Sequence, residues 1–340
     1  MSRAASFVRP VEPRPSDRDA RSHRILVCVD RSEPADACLA HAIGLAQALG
    51  SELTLLHVLQ PAAHHADALD WEITRQEARA HLEQLEQQAA TALGRPATVR
   101  LEQGHAAERI VEIARELRAD LTVLGSRGEG NAVARNLGST VQQVIAVTRG
   151  SVFIAHMSPA APPARAPQRI VVPLDGSQRT ESVLPTAARI AAAYDAELIL
   201  VHVTQELLPT AELCSSEDVE LASRLAQRLK IGAKAYLEGL RARLVREGAR
   251  VRTLVEHHAN QRHCIVETAK RERADLIAVA AHGAACDPGR TFGTVTEYLL
   301  AHSTVPLLVL QDLAETELHT PELGDRAAPP LRASFPPELV

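Results

Sequence analysis

Aromatic residues make up only 2% of the 340-residue chain, so its cores have to be built from Ala, Leu, Val and Ile. The same scarcity argues against binding single-stranded nucleic acid, which relies on stacking platforms. A formal charge of −5 gives no electrostatic reason to approach DNA or an anionic membrane. No run of about eighteen apolar residues occurs, so nothing reads as a membrane span. The five cysteines (Cys28, Cys38, Cys214, Cys264 and Cys286) are odd in number, scattered, and form no Cys-x-x-Cys pair. That usage suggests neither a disulfide framework nor a zinc knuckle, and it fits a reducing cytoplasm. Residues 1–22 are rich in Pro and Arg and lack an apolar h-region, so they read as a disordered tail and not a secretory signal. A Walker lysine is missing, as is any Ser/His/Asp arrangement of recognisable spacing. No catalytic residues are expected.

What the chain does have is self-similarity. Ile25-Leu-Val-Cys-Val-Asp30-Arg-Ser32 returns as Ile170-Val-Val-Pro-Leu-Asp175-Gly-Ser177, and Glu52-Leu-Thr-Leu-Leu-His57-Val58 as Glu197-Leu-Ile-Leu-Val-His202-Val203. Both blocks recur 145 residues on. Arg118-Ala-Asp-Leu121 returns as Arg273-Ala-Asp-Leu276, now 155 residues on, which puts an insertion in the long helical stretch of the second copy. With 46% hydrophobic residues, the length suits two ordinary domains, 23–156 and 169–312. The Pro-rich segment 157–168 reads as a semi-rigid linker and 313–340 as another tail.

Within one copy, 25–30 is a continuous apolar run ending in Asp, as a strand buried on both faces requires. Ser32 can cap a helix whose apolar positions recur at helical spacing as far as Leu49, with Gly50 placed to end it. Further strands are expected at 53–58, 97–102, 121–124 and 152–155, and helices at 72–93, 106–118 and from Gly138 to Val147. The second copy follows with strands near 169–174, 197–203, 250–255, 275–279 and 306–310. Alternation of this kind predicts a parallel sheet covered by helices on both faces. In such sheets ligands bind at the carboxyl ends of the strands flanking the reversal of strand order.

The polar and glycine residues fall there. After the fourth strand comes Gly125-Ser-Arg127-Gly128, then nine residues, then Gly138-Ser139-Thr140 opening a helix. Glycines let backbone approach a phosphate, and a helix N-terminus suits an anion. Asp30, closing strand one, can accept hydrogen bonds from a ribose hydroxyl or an adenine amino group. The spacing Gly-x2-Gly-x9-Gly-Ser resembles the ATP-binding signature of universal stress proteins, and the Val-Asp-x-Ser, Leu-Leu-His-Val and Ala-Asp-Leu blocks are similar too. The resemblance covers roughly 24–156 and 169–311. It implies two Rossmann-like (adenine nucleotide α-hydrolase-like) α/β domains, each a five-stranded parallel sheet of order 3-2-1-4-5 between helices. It also implies ATP, with or without Mg2+, as ligand. Carried over by position, Asp30 and Val58 would hold the adenosine end, with Gly125, Arg127, Gly128, Gly138, Ser139 and Thr140 around the phosphates and Ser32 part of the same nucleotide site. Arg31 and Glu129 depart from the family pattern. The second copy reads Asp175, Ser177 and Val203, then Ala280, His282, Gly283, Gly293, Thr294 and Val295. Ala280 replaces the first glycine, so this site is expected to be the weaker.

The resemblance thus implies a cytoplasmic, ATP-binding regulator of stress adaptation with protein partners the sequence does not name. Slow ATP hydrolysis at the first copy, or a nucleotide-free scaffold, are the alternatives. The closing strands Val152–Ala155 and Pro306–Leu310 are expected to pair antiparallel, joining the copies internally, with a homodimer as a further step. His257, His258, His263 and Cys264 do not have the spacing of a convergent metal site. His57 and His202 read as hydrogen-bonded strand residues, and Trp71 as a packing anchor for its helix.

Overall fold

The structure, a computed structural model, describes residues 23–31, 34–60, 68–126, 137–156, 166–206, 215–287 and 289–312. The two tails and most of the linker lie outside the described residues. The first copy runs β1 (Arg24–Cys28), α1 (Pro34–Leu49), β2 (Glu52–Leu59), α2 (Ala68–Leu93), β3 (Thr98–Gln103), α3 (Ala106–Glu116), β4 (Leu121–Gly125), α4 (Ser139–Val147) and β5 (Ser151–Ala155). The second runs β6 (Arg169–Pro173), α5 (Gln178–Glu181), α6 (Leu184–Tyr194), β7 (Glu197–Gln205), α7 (Ser216–Arg246), β8 (Arg250–His258), α8 (Gln261–Arg271), β9 (Leu276–Ala280), α9 (Thr294–His302) and β10 (Leu307–Leu310).

All ten strands form one sheet, in the order β3-β2-β1-β4-β5-β10-β9-β6-β7-β8. Each half has the expected order 3-2-1-4-5, and its strands are parallel. The halves meet where β5 pairs antiparallel with β10, Ile154 opposite Leu307 and Val152 opposite Val309. Strand alternation sends neighbouring residues to opposite faces. Ile25, Val27, Phe153 and Leu308 enter one core with α1, α2, α6 and α7. Leu26, Val152, Ile154 and Leu307 enter the other, with α3, α4, α8 and α9. Both cores are continuous across the seam and are largely Ala, Leu, Val and Ile, with Phe153 and Phe292 the largest buried side chains.

Repeated sequence blocks have repeated structural jobs. In Arg-Ala-Asp the arginine takes a left-handed conformation (φ 50° at Arg118, 52° at Arg273) that turns the chain out of α3 or α8. The aspartate then accepts the amide of the residue that starts the copy's first strand, Arg24 at 2.8 Å from Asp120 and Arg169 at 3.0 Å from Asp275. Gly50 ends α1 with φ 64°. Ser177 caps a helix as Ser32 was expected to, although that helix is split into α5 and α6. Ser32 itself lies outside the described residues. Among the elements longer than expected, α2 starts at Ala68, and β8 reaches His258 because it pairs with β7 along its whole length. Trp71 is half-buried in the first turn of α2.

The seam yields the first prediction. Because β10 has a strand on either side, a proline there removes a ladder donor whichever way its N–H points. Val309→Pro should cost about 1–3 kcal/mol through the buried acceptor it leaves unsatisfied and let the copies separate, seen as a larger scattering radius before either copy melts. An unchanged radius together with an unchanged melting curve would refute the role given to this pairing.

Candidate functional site

In each copy the reversal of strand order lies between the first and fourth strands, β1/β4 and β6/β9. In the first copy Asp30 follows β1, Val58 is the penultimate residue of β2, and Gly125 ends β4. Gly138 is the N-cap of α4, which Ser139 and Thr140 open. The Gly138 amide donates to Ser126 O at 3.0 Å, which ties the helix start to the end of β4. These residues therefore converge on one crevice. Arg127, Gly128 and Glu129 lie outside the described residues. Arg31 turns away from the crevice, pairing with Glu77 of α2 at 2.7 Å.

More of the second copy's crevice is described, with 207–214 and Pro288 outside the described residues. A cleft of about 810 Å³ opens at the carboxyl ends of β6, β7 and β9. Its lining includes Asp175, Val203, Ala280, His282, Gly283, Gly293, Thr294 and Val295. Ser177 is not part of that wall; it braces Asp175 from behind. Oδ1 of Asp175 accepts from the Ser177 amide at 2.9 Å, the Ser177 hydroxyl at 2.6 Å and the Thr180 hydroxyl at 2.8 Å. Its Oδ2 accepts from the Ala284 amide at 2.7 Å. Partial desolvation pushes the carboxyl up, but these donors outweigh it and hold Asp175 below its usual value. This contact explains Gly283, where a Cβ would collide with Oδ2 of Asp175.

The other glycines have different reasons. Gly293 has φ −72°, an ordinary extended value, and a Cβ there would meet Ala281 O and His282 Cα at 3.5 Å. The protein itself therefore tolerates a methyl group at 293. Neither α4 nor α9 has a side-chain N-cap, and among the described residues no side chain accepts from their first-turn amides. Ala280 is an ordinary strand residue of β9, 1% exposed and absent from the positive-φ positions. Replacing the glycine with alanine at this position therefore brings no backbone strain.

One motif residue also ties the loop together. His282, fully buried, spans the loop: Nδ1 lies 2.9 Å from Oδ1 of Asp312, and Nε2 lies 3.0 Å from Arg290 O. Its backbone amide donates to the same Asp312 oxygen at 2.9 Å, while Oδ2 of Asp312 takes Arg179 at 2.9 Å. Burial lowers the His282 pKa, yet Asp312 and the Arg290 carbonyl outweigh it and the net shift is upward. An imidazolium donates to both acceptors at once; a neutral ring has to give one up. The wall opposite is α7, which contributes Arg228, Gly232 and Tyr236 at four-residue spacing. That spacing was readable; Asp312, two residues past β10, carried no sequence signal.

Strand histidines are occupied as expected. His57 Nδ1 is 3.0 Å from Val29 O and His202 Nδ1 is 2.9 Å from Leu174 O, equivalent contacts in the two copies. His257 meets the Thr204 hydroxyl at 3.0 Å, and His258 accepts the Asn260 amide at 2.8 Å. Among the described residues no three His, Cys, Asp or Glu side chains group as a metal site. Nor is any described helix long and apolar enough to cross a membrane.

Fold and crevice define a duplicated Rossmann-like α/β protein. The profile of the Universal stress protein family matches residues 21–156 and again 167–311, so the chain belongs to that family. A universal stress protein of Mycolicibacterium smegmatis is 26% identical over 307 residues, 86% of this chain and 99% of that one. The crystal structure of a universal stress protein from Archaeoglobus fulgidus has a TM-score of 0.59 at 20% identity, covering 86% of this chain and 100% of its own, which is a likeness of fold. A universal stress protein solved in complex with cAMP matches 40% of this chain and 98% of its own, at 25% identity and a TM-score of 0.33.

Two predictions follow from the loop. The His282 ring should titrate above about 6.5, and Asp312→Asn should bring it down, as read by imidazole NMR. Since the folded value is raised, its stabilisation is complete below the unfolded pKa and is lost as pH rises through the folded one. Amide exchange across the loop should quicken over that interval. A His282 pKa at or below the ordinary value would refute the double-donor arrangement. Ala280→Gly should destabilise the second copy by about 0.5–1 kcal/mol and leave its ligand affinity unimproved; tighter binding would show that the methyl group obstructs the ligand.

Proposed function

We propose that the protein binds adenine nucleotide, ATP foremost, in the crevice of each copy, and that it acts through the bound state as a regulator of stress adaptation without consuming the nucleotide. The observation that carries this reading is the cleft of about 810 Å³ at the second switch point, where an exposed aspartate faces a helix start whose amides no side chain caps. An aspartate suits ribose or adenine donors, and free first-turn amides suit phosphate. Of the two cleft histidines, His282 has both ring nitrogens engaged, at Asp312 and Arg290 O, and His202 has its Nδ1 at Leu174 O. Mg2+, if it accompanies ATP, would be held chiefly by phosphate oxygens and water. A homodimer and other protein partners remain part of this proposal, as does a place in the cytoplasm.

Calorimetry with ATP on the full chain tests the reading, with cAMP as a comparison ligand. Two binding events are expected. Gly293→Ala should weaken one of them about tenfold at an unchanged melting temperature, because only a ligand objects to that methyl group. Gly138→Val should remove the other. If folded Gly293→Ala and Gly138→Val proteins bind ATP as the parent does, or if the parent binds none, the reading is wrong.

A further inference from the structure

The helical contact across the seam is made twice but filled once. Helices α1 and α6 occupy equivalent places in the two copies, 145 residues apart, and pack against each other. On one side of the pseudo-twofold axis Arg189 of α6 reaches over and donates from Nη2 to Leu49 O, at 2.8 Å, at the end of α1. On the other side the position equivalent to Arg189 is Gly44, and the position equivalent to Leu49 is Tyr194. The Tyr194 hydroxyl lies so close to Gly44 that a Cβ would collide with it. On this side, where no arginine reaches across, there is a cavity of about 210 Å³, lined among others by His41, Ile43, Gly44, Phe153, Ile190 and Tyr194.

Its lining mixes apolar side chains with nearly as much polar surface, and two of the polar groups, on the half-buried His41 and Tyr194, are unmatched. His41 stacks obliquely on Phe153, with ring centroids 5.2 Å apart. Among the described residues, neither its ring nitrogens nor the Tyr194 hydroxyl has a hydrogen-bond partner. Both are uncharged at neutral pH, since burial pushes His41 down to about 4 and Tyr194 up to about 12. A dry apolar cavity of about 150 Å³ accepts benzene, so this one has room for a single ring with a substituent and is too small for a nucleotide. The Asp275 carboxylate, also in the lining, repels an anion.

We propose that this cavity is a binding site for a small uncharged aromatic alcohol of the phenol class, with its ring among Phe153, Ile43 and Ile190 and its hydroxyl between His41 and Tyr194. The site is separate from the nucleotide crevices. Asp275, Leu276 and Pro306, which line it, stand at the amino ends of β9 and β10, whereas the crevices lie at carboxyl ends.

Phenol titrated into the full chain, followed by calorimetry and by backbone NMR, tests the assignment, with benzene and benzoate as comparison probes. Phenol should bind saturably, shift resonances of α1 and α6, and leave the ATP titration unaltered. Benzoate should not bind. Tyr194→Phe and His41→Phe, which keep a ring in place, should each weaken phenol about fivefold, the worth of one hydrogen bond. The proposal is overturned by any of three results: no saturable shift, meaning that the cavity holds water only; benzene binding as tightly as phenol with Tyr194→Phe silent, meaning that it is merely apolar space; or shifts lying outside α1 and α6.

Discussion

The antiparallel register of β5 on β10 is the contact on which the molecule's architecture depends. Without it each copy is a five-stranded sheet whose last strand presents Val152, Phe153 and Ile154, or Leu307, Leu308 and Val309, on an open edge. All six of these side chains are 2% exposed or less in the joined sheet. An open, apolar edge of this kind invites indiscriminate pairing. Joining the two edges removes both at once and lets each helical layer continue from one copy into the other. The outer edges, β3 and β8, are managed differently. They are laced by ion pairs to the following helices, Arg100 to Glu116 and Glu102 to Arg109 on one side, Arg252 to Glu272 and Glu256 to Arg271 on the other. Charge on an edge discourages further strand addition.

The same topology places the crevices. Strand order reverses beside the first strand of each copy, so the residue after that strand and the loop after the fourth one face each other without any further device. In the second copy an aspartate is held in that gap by four donors drawn from two elements, and the loop closes around it because residue 283 has no side chain. Asp312 then secures the loop from the end of β10, the strand that also forms the seam. Crevice and seam thus share an element.

Much of this was legible in the sequence, because a repeat reports its own boundaries and a buried parallel strand is an uninterrupted apolar run. The strand order came through resemblance, and the internal edge pairing followed from it. Individual glycines are harder to read. Glycine suggests positive φ, but Gly293 is extended and Ala280 is unstrained; what matters at Gly283 is the approach of a carboxylate from 108 positions earlier in the chain, at Asp175. Such a requirement is set by tertiary distance and has no local signature. Asp312 was missed for the same reason, and the Arg228–Gly232–Tyr236 wall was missed although its helical spacing was readable. The family pattern stops before the first, and the second sits in the part of the chain where the copies stop resembling one another.

The mismatch of Gly44 with Arg189 has a consequence for how such a chain can change. In a pair of identical subunits related by a twofold axis, every substitution appears on both sides, so a gap opened on one side is opened on the other. A covalently joined pair is free of that constraint. It is also free of dilution, since the short tether keeps the halves at a high effective concentration however scarce the protein is. Each face of the axis can then drift separately, one keeping the structural contact while the other is hollowed out.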